Sequence, residues 1–156
     1  MKSSNLFYLS VIFTLIGVVF SNSVYAQTTE LEWHSFEQAL KLAEEEGKPI
    51  MVDVWAPWCG WCKKMKKEVY PELSAALSKD FVLTRLNRDD NEDKKTYQQY
   101  RITPLRLAQK FGVQNVPAIV FLSPEGEYLF HISGFVEADE LKEILGYVSV
   151  ERAERL

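Results

Sequence analysis

The sequence predicts an α/β three-layer sandwich, a mixed central sheet flanked by helices on both faces. Three observations carry this expectation. Helical and strand patterns alternate along the chain, the order that builds parallel strands through helical crossovers. Residues 49–55 are apolar and strand-forming without alternation, as in a strand buried on both faces. The last two strand patterns are joined by the turn signal "SPEG", which makes an antiparallel hairpin and so a mixed sheet. With 156 residues, the chain has the length of one domain with a single core.

Taken in order, "TTELEW" (28–33) reads as a short linker or an edge strand. A helix follows over Ser35–Glu46: Phe36, Ala39, Leu40 and Ala43 share a face, Ser35 and Gln38 form a capping box, and Gly47 ends it. After the strand at 49–55, a helix begins at or near Cys59 and runs through "KKMKKEV". Pro71 stops it or restarts it as "PELSAALSK", because an interior proline removes a hydrogen bond and clashes with the preceding turn. "FVLTRLN" (81–87) is the next strand. Residues 88–106 are polar and charged, with a helix expected near Glu92–Tyr100 and a new helix start at Thr103-Pro104. "LAQKFGV" completes that helix, and the strands "AIVFL" and "YLFHI" follow. A final helix carries Leu141, Ile144, Leu145 and Val148 at helical spacing.

Composition is that of an ordinary globular protein, 47% hydrophobic and 26% charged, with a net charge of −4. No basic patch points to nucleic acid, and no nucleic-acid partner is expected. The apolar run Leu6–Phe20, preceded by Lys2 and followed by "SNSVYAQ", has the layout of a secretory signal peptide. Val24 and Ala26 fit a cleavage site, which assigns residues 1–26 to the leader and 27–156 to the mature domain. The alternative is an uncleaved leader acting as a membrane anchor, although the run is short of the roughly 20 apolar residues of a span. The expected location is therefore periplasmic or secreted.

The chain has two cysteines, Cys59 and Cys62. A bridge between residues three apart closes almost no loop and removes little entropy from the unfolded chain, so the pair reads as reactive rather than structural. At a helix N-terminus the unpaired N–H groups and the helix dipole favour a thiolate at Cys59, and Lys63 and Lys64 add positive charge. Cys62, one turn later, is less exposed. Cys59 is then the attacking thiol and Cys62 the resolving one. Zinc would need about four ligands, where this chain offers two cysteines and the distant His34 and His131, so no metal site is expected. The two histidines read as surface or structural residues.

"VDVWAPWCGWCKK", "TRLN", "LAQKFGVQNVPAIVFL" and "GEYLFHISGF" resemble, in order, the thioredoxin superfamily over most of residues 33–149. With its leader, the chain is similar to exported thiol:disulfide interchange proteins. The resemblance implies a thioredoxin-like fold in which Asp53 is the buried acid assisting proton transfer at Cys62; an edge-strand aspartate facing water is the alternative. Arg85 matches the position of a lysine that often accompanies this acid, and an arginine keeps its proton. Val116-Pro117 matches the cis-proline segment bordering the active site. Trp58, Gly60, Trp61, Val116 and Pro117 are the implied substrate contacts, with Arg85 and Lys63 in support. The family's usual C-G-P-C is C-G-W-C here, and Trp61 either contacts substrate or covers the sheet edge. Residues 88–106 exceed the family's usual connection and form an insert at the edge where Cys59 lies, with Tyr97, Tyr100 and Arg101 either lining a substrate groove or packing the insert onto the body.

The implied function is an exported thiol:disulfide oxidoreductase that reduces protein disulfides with its own dithiol, needs no cofactor and works as a monomer. A reductase in an oxidising compartment would draw electrons from a membrane-embedded donor. The alternatives are a disulfide oxidase or isomerase on the same fold, and a thiol-based binding protein such as a holdase or copper-handling module.

Overall fold

The computed structural model describes residues 30–154. The leader expected over residues 1–26, cleaved or retained, lies outside them. Among the described residues no helix is long and apolar enough to cross a membrane.

The sheet is built outward from β2 (Ile50–Trp55), whose first five residues are buried. It pairs in parallel with β3 (Val82–Asn87) on one side and antiparallel with β6 (Ala118–Leu122) on the other. The short β1 (Trp33–His34) runs parallel to β3, and β7 (Tyr128–Ser133) lies antiparallel to β6. The order β1-β3-β2-β6-β7 is the mixed sheet the sequence implies, and "TTELEW" ends in an edge strand.

Side chains alternate across the sheet, so each strand feeds two cores. Ile50, Val52 and Val54 pack with Phe36, Ala39 and Ala43 of α1 (Phe36–Glu46) and Leu107 and Ala108 of α5 (Pro104–Lys110). On the opposite face Met51, Ile119 and Phe121 meet Met65, Tyr70 and Leu77, together with Leu141 and Leu145 of α6 (Ala138–Glu154). The capping box of α1 is formed by Ser35 and Gln38, and Gly47 closes the helix at φ 61°.

Between β2 and β3 the chain runs through α2 (Gly60–Lys64), a π-helical turn at Met65–Val69, α3 (Tyr70–Glu72) and α4 (Ser74–Asp80). Pro71 falls in the first turn of α3, where its missing N–H is tolerated. The chain therefore continues through Pro71 and breaks at Leu73 instead, the residue that leads into α4.

The insert differs from expectation. In place of a helix over Glu92–Tyr100 there is a turn followed by a hairpin of β4 (Lys95–Tyr97) and β5 (Tyr100–Ile102). Asp90 Oδ1 accepts the backbone N–H groups of Glu92 and Asp93 at 2.9 and 3.0 Å, a local bond that competes with helix. Gln98, the first residue of the two-residue loop, takes φ 53°, as tight hairpins require. Tertiary packing decides the rest. Tyr97 is buried edge-on against Phe36 and Phe111, and its hydroxyl donates to Gly126 O at 2.9 Å. Gly126 itself has φ 80° and sits where a Cβ would stand 2.7 Å from Leu40 Cδ2. Tyr97 thus fastens the insert to α1 and to the β6–β7 turn, whereas Tyr100 and Arg101 face solvent. Tyr97→Ala is expected to reduce the unfolding free energy by about 3–5 kcal/mol in urea denaturation, while Tyr100→Ala changes it by less than about 1 kcal/mol.

Candidate active site

Strand β2 delivers the site. Its last residue, Trp55, is followed by Ala56-Pro57-Trp58, and Cys59 then caps α2 from an extended conformation (φ −74°, ψ 102°). The Cys59 N–H donates to Ala56 O at 3.1 Å, which bends the chain back toward the strand end. Cys59 and Cys62 are joined as a disulfide with their Cα atoms 5.3 Å apart. Cys59 Sγ also accepts the Cys62 N–H at 3.0 Å, so the helix start directs a backbone donor at this sulfur. Ala56, Val116 and Trp55 pack around the pair. The bridge is nearly covered, Cys59 being 4% and Cys62 1% exposed, whereas Trp58 and Trp61 stand out on either side at 66% and 57%.

The other residues singled out in the sequence fall as follows. The Val116–Pro117 peptide bond is cis; Val116 is half-buried against the disulfide, and Pro117 O accepts the Gly134 N–H at 2.8 Å. Gly60 is exposed, and a Cβ there would meet nothing within 4 Å. Trp58 Nε1 donates to Asp89 Oδ2, linking the loop before Cys59 to the start of the insert. The insert begins at this same edge, since Arg88 N–H donates to Trp55 O at 2.9 Å. Trp61 leans on Phe135 with ring centroids 5.0 Å apart, and the Lys64 ammonium lies over both rings. Lys63 is exposed on the first turn of α2. The histidines occupy the two edge strands, β1 and β7, with His34 Nδ1 3.9 Å from Glu32 and His131 Nδ1 2.8 Å from the Tyr128 hydroxyl.

Behind the disulfide strand lies Asp53, fully buried on the face of β2 covered by α2–α4. Arg85, its direct neighbour on β3, donates from Nε to Asp53 Oδ2 at 2.7 Å, and the Tyr70 hydroxyl donates to Oδ1 at 2.9 Å. The guanidinium is held between the indoles of Trp33 and Trp55, 5.5 and 4.8 Å from their ring centroids. Burial pushes the Asp53 carboxyl above the ordinary aspartate range. The Arg85 charge and hydrogen bond, the Tyr70 hydrogen bond and the more distant Lys66 pull it down without overcoming that cost. Arg85 therefore favours the ionised form, as its adjacency implies, yet desolvation wins. Tyr70 is the residue that sequence reading missed. Nothing in "KKEVYPEL" marks it beyond an aromatic on the inward side of a helix, and its partner lies 17 positions away.

A two-sulfur bridge at a helix start, with exposed tryptophans outside and a buried carboxyl within, on a mixed sheet of this order, is the arrangement of a thiol:disulfide oxidoreductase. The chain belongs to the thioredoxin-like domain family, whose model matches residues 36–149. The thiol:disulfide interchange protein DsbD of Pseudoalteromonas atlantica is 30% identical over 107 residues, 66% of this chain and 16% of the relative. The thioredoxin of Bacillus subtilis is 28% identical over 109 residues, 70% of this chain and 89% of the thioredoxin. The solution structure of a thioredoxin from Thermus thermophilus superposes with a TM-score of 0.63 at 26% identity, over 78% of this chain and 89% of that one. The chain thus spans 16% of the length of the interchange protein and most of the length of a thioredoxin.

The buried carboxyl leaves a mark on stability. Its folded pKa lies above the value of 3.8 it has when unfolded, so between the two the folded chain holds a proton that the unfolded chain has released. Stability from this group is full below 3.8 and falls as pH rises through the folded pKa. Asp53→Asn removes that loss. Relative to the parent, the oxidised variant is expected to gain stability as pH rises from 3.8 through the folded pKa of Asp53, with no further relative gain from this group above it, as read from urea denaturation across pH.

Proposed function

We propose that the protein is an exported protein-disulfide reductase, with Cys59 as nucleophile and Cys62 as resolving thiol. The single observation that carries this reading is the Cys59–Cys62 bridge at the helix start, itself nearly covered and flanked by the exposed Trp58 and Trp61. In the reduced protein the Cys59 thiolate attacks one sulfur of a substrate disulfide. A mixed disulfide forms, and the first substrate thiolate leaves. Cys62 then gives its proton to Asp53 and attacks Cys59 Sγ. The Cys59–substrate bond breaks, the Cys59–Cys62 bond forms, and the second substrate thiolate takes a proton from water. Two electrons pass from the dithiol to the substrate, and no cofactor enters the cycle. A carboxyl raised toward the working pH suits this exchange, because it accepts and returns a proton with little driving force lost. Val116, Pro117, Gly60 and the two tryptophans form the substrate-facing rim, and Lys63 and Lys64 add positive charge beside the thiolate.

Export rests on the leader read over residues 1–26. The reducing direction is supported by Asp53 and Gly60, which resemble reducing members, and by the likeness to a thioredoxin and to an interchange protein. In that setting the electrons come from a membrane-embedded donor, and the protein works as a monomer.

The thiol roles are tested by trapping. Cys62→Ser is expected to accumulate mixed disulfides with a reducible protein substrate, and Cys59→Ser to accumulate none. Alkylation rates across pH should place Cys59 below the ~8.5 of a free cysteine. A faster, more acidic Cys62 reverses the assignment. Equilibration with glutathione tests direction: a potential near the thioredoxin value of about −270 mV supports a reductase, and one near about −120 mV makes the protein an oxidase.

A further inference from the structure

We propose that Tyr70 is a positioning residue for the second exchange step: its hydroxyl, donated to Asp53 Oδ1, holds the carboxylate ionised and oriented to receive the Cys62 proton. This inference rests on the role assigned to Asp53 above.

The helix itself carries the first argument. Successive residues of an α-helix turn by ~100°, so Tyr70, eight positions after Cys62, would point ~80° away from it. The π-turn at Met65–Val69, closed by the Tyr70 N–H donating to Met65 O, accommodates one extra residue. Seven effective steps of ~100° bring Tyr70 to within ~20° of the Cys62 direction. Both residues are 1% exposed, Cys62 packed with Ala56 and Cys59 and Tyr70 with the sheet residues Met51 and Ile119. An irregular turn is thus what puts a phenol and the resolving thiol on one inward line.

The second argument is chemical. A phenylalanine would fill the same space without burying a hydroxyl, which costs stability unless it is paired. The Tyr70 hydroxyl is paired with Asp53 at 2.9 Å, while Arg85 occupies the other oxygen at 2.7 Å. One indole braces both donors: Trp33 lies 5.7 Å from the Tyr70 ring and 5.5 Å from the Arg85 guanidinium. The charged and titratable groups acting on Asp53 are Arg85 from β3, Tyr70 from α3 and Lys66 from the π-turn, and β6 places Ile119 opposite it. Tyr70→Phe removes a hydrogen bond to Asp53 and leaves both cations in place. That hydrogen bond favours the carboxylate over the carboxylic acid, against the pull of burial.

Loss of the hydroxyl should therefore raise the pH at which Asp53 ionises. The reduced protein is mixed with a nitrobenzoate disulfide, whose two chromophoric thiols leave in turn, so that the second release reports Cys62 attack. In Tyr70→Phe the acid limb of that second step is expected to move up by about one pH unit, about tenfold slower on the limb, and to rejoin the parent at high pH. A uniform loss at every pH, or a profile superimposed on the parent, overturns the proposal. Asp53→Asn is run beside it. If Asp53→Asn keeps the parental profile, the role of Asp53 fails and the proposal falls with it. If only Tyr70→Phe keeps the profile, the Asp53 role stands and Tyr70 has none. The unmutated reduced protein supplies a readout free of folding effects. The Tyr70 Cζ carbon signal is expected to step at the same pH as the Asp53 carboxyl signal, and independent titration of the two overturns the proposal.

Discussion

A carboxylate in the middle of the central strand is the constraint around which this structure is organised. Asp53 is flanked by Val52 and Val54, faces Ile119 on the apolar β6 and Arg85 on β3, and its side chain is fully buried. A charge in such a place is tolerated only with partners. The fold supplies one from the adjacent strand, Arg85, and one from the helix above, Tyr70. Trp33 and Trp55 then fix the guanidinium in place. Strand register, helix phase and two aromatic positions therefore all serve one carboxyl, and that carboxyl lies behind the reactive disulfide.

The topology explains why the reactive pair stands where it does. Parallel pairing of β2 with β3 obliges the chain to leave β2, cross by helix and return, so a helix N-terminus lies just beyond the end of a buried strand. That is where a sulfur gains backbone donors and access to a partner at once. Next to it β6 runs antiparallel to β2, and the cis Val116–Pro117 bond sits at the start of β6 beside the disulfide. The site is thus assembled from the ends of neighbouring strands, and the insert leaves β3 on the same edge through Arg88 and Asp89.

Irregular elements do much of the fine placement. The π-turn rotates the second half of the crossover helix relative to the first, and both Cys62, packed with Ala56 and Cys59, and Tyr70, packed with Met51 and Ile119, are buried. In the insert, a side-chain-capped turn and a two-residue hairpin take the place of a helix, and Tyr97 ties them down through aromatic contacts with two elements distant in sequence. The exposed Tyr100, beneath the Lys110 ammonium, belongs to the same hairpin but serves no core.

The fold class, the sequence of main elements and the reactive pair were legible in the chain because each has a local cause. Apolar runs without alternation mark buried strands, Ser35 and Gly47 bracket a helix, and two cysteines three apart are too close to staple anything. Asp53 was legible as an anomaly, a charge in an apolar strand. What the chain could not disclose are the relations between segments: that Tyr70 reaches Asp53, that Trp33 and Trp55 enclose Arg85, that Trp61 leans on Phe135, and that residues 92–100 fold as turn and hairpin. Local periodicity encodes which face of an element is apolar, but not the phase slip of a π-turn or the partner a polar group will meet. Those are settled only when distant segments compete to satisfy the same buried charge and fill the same space.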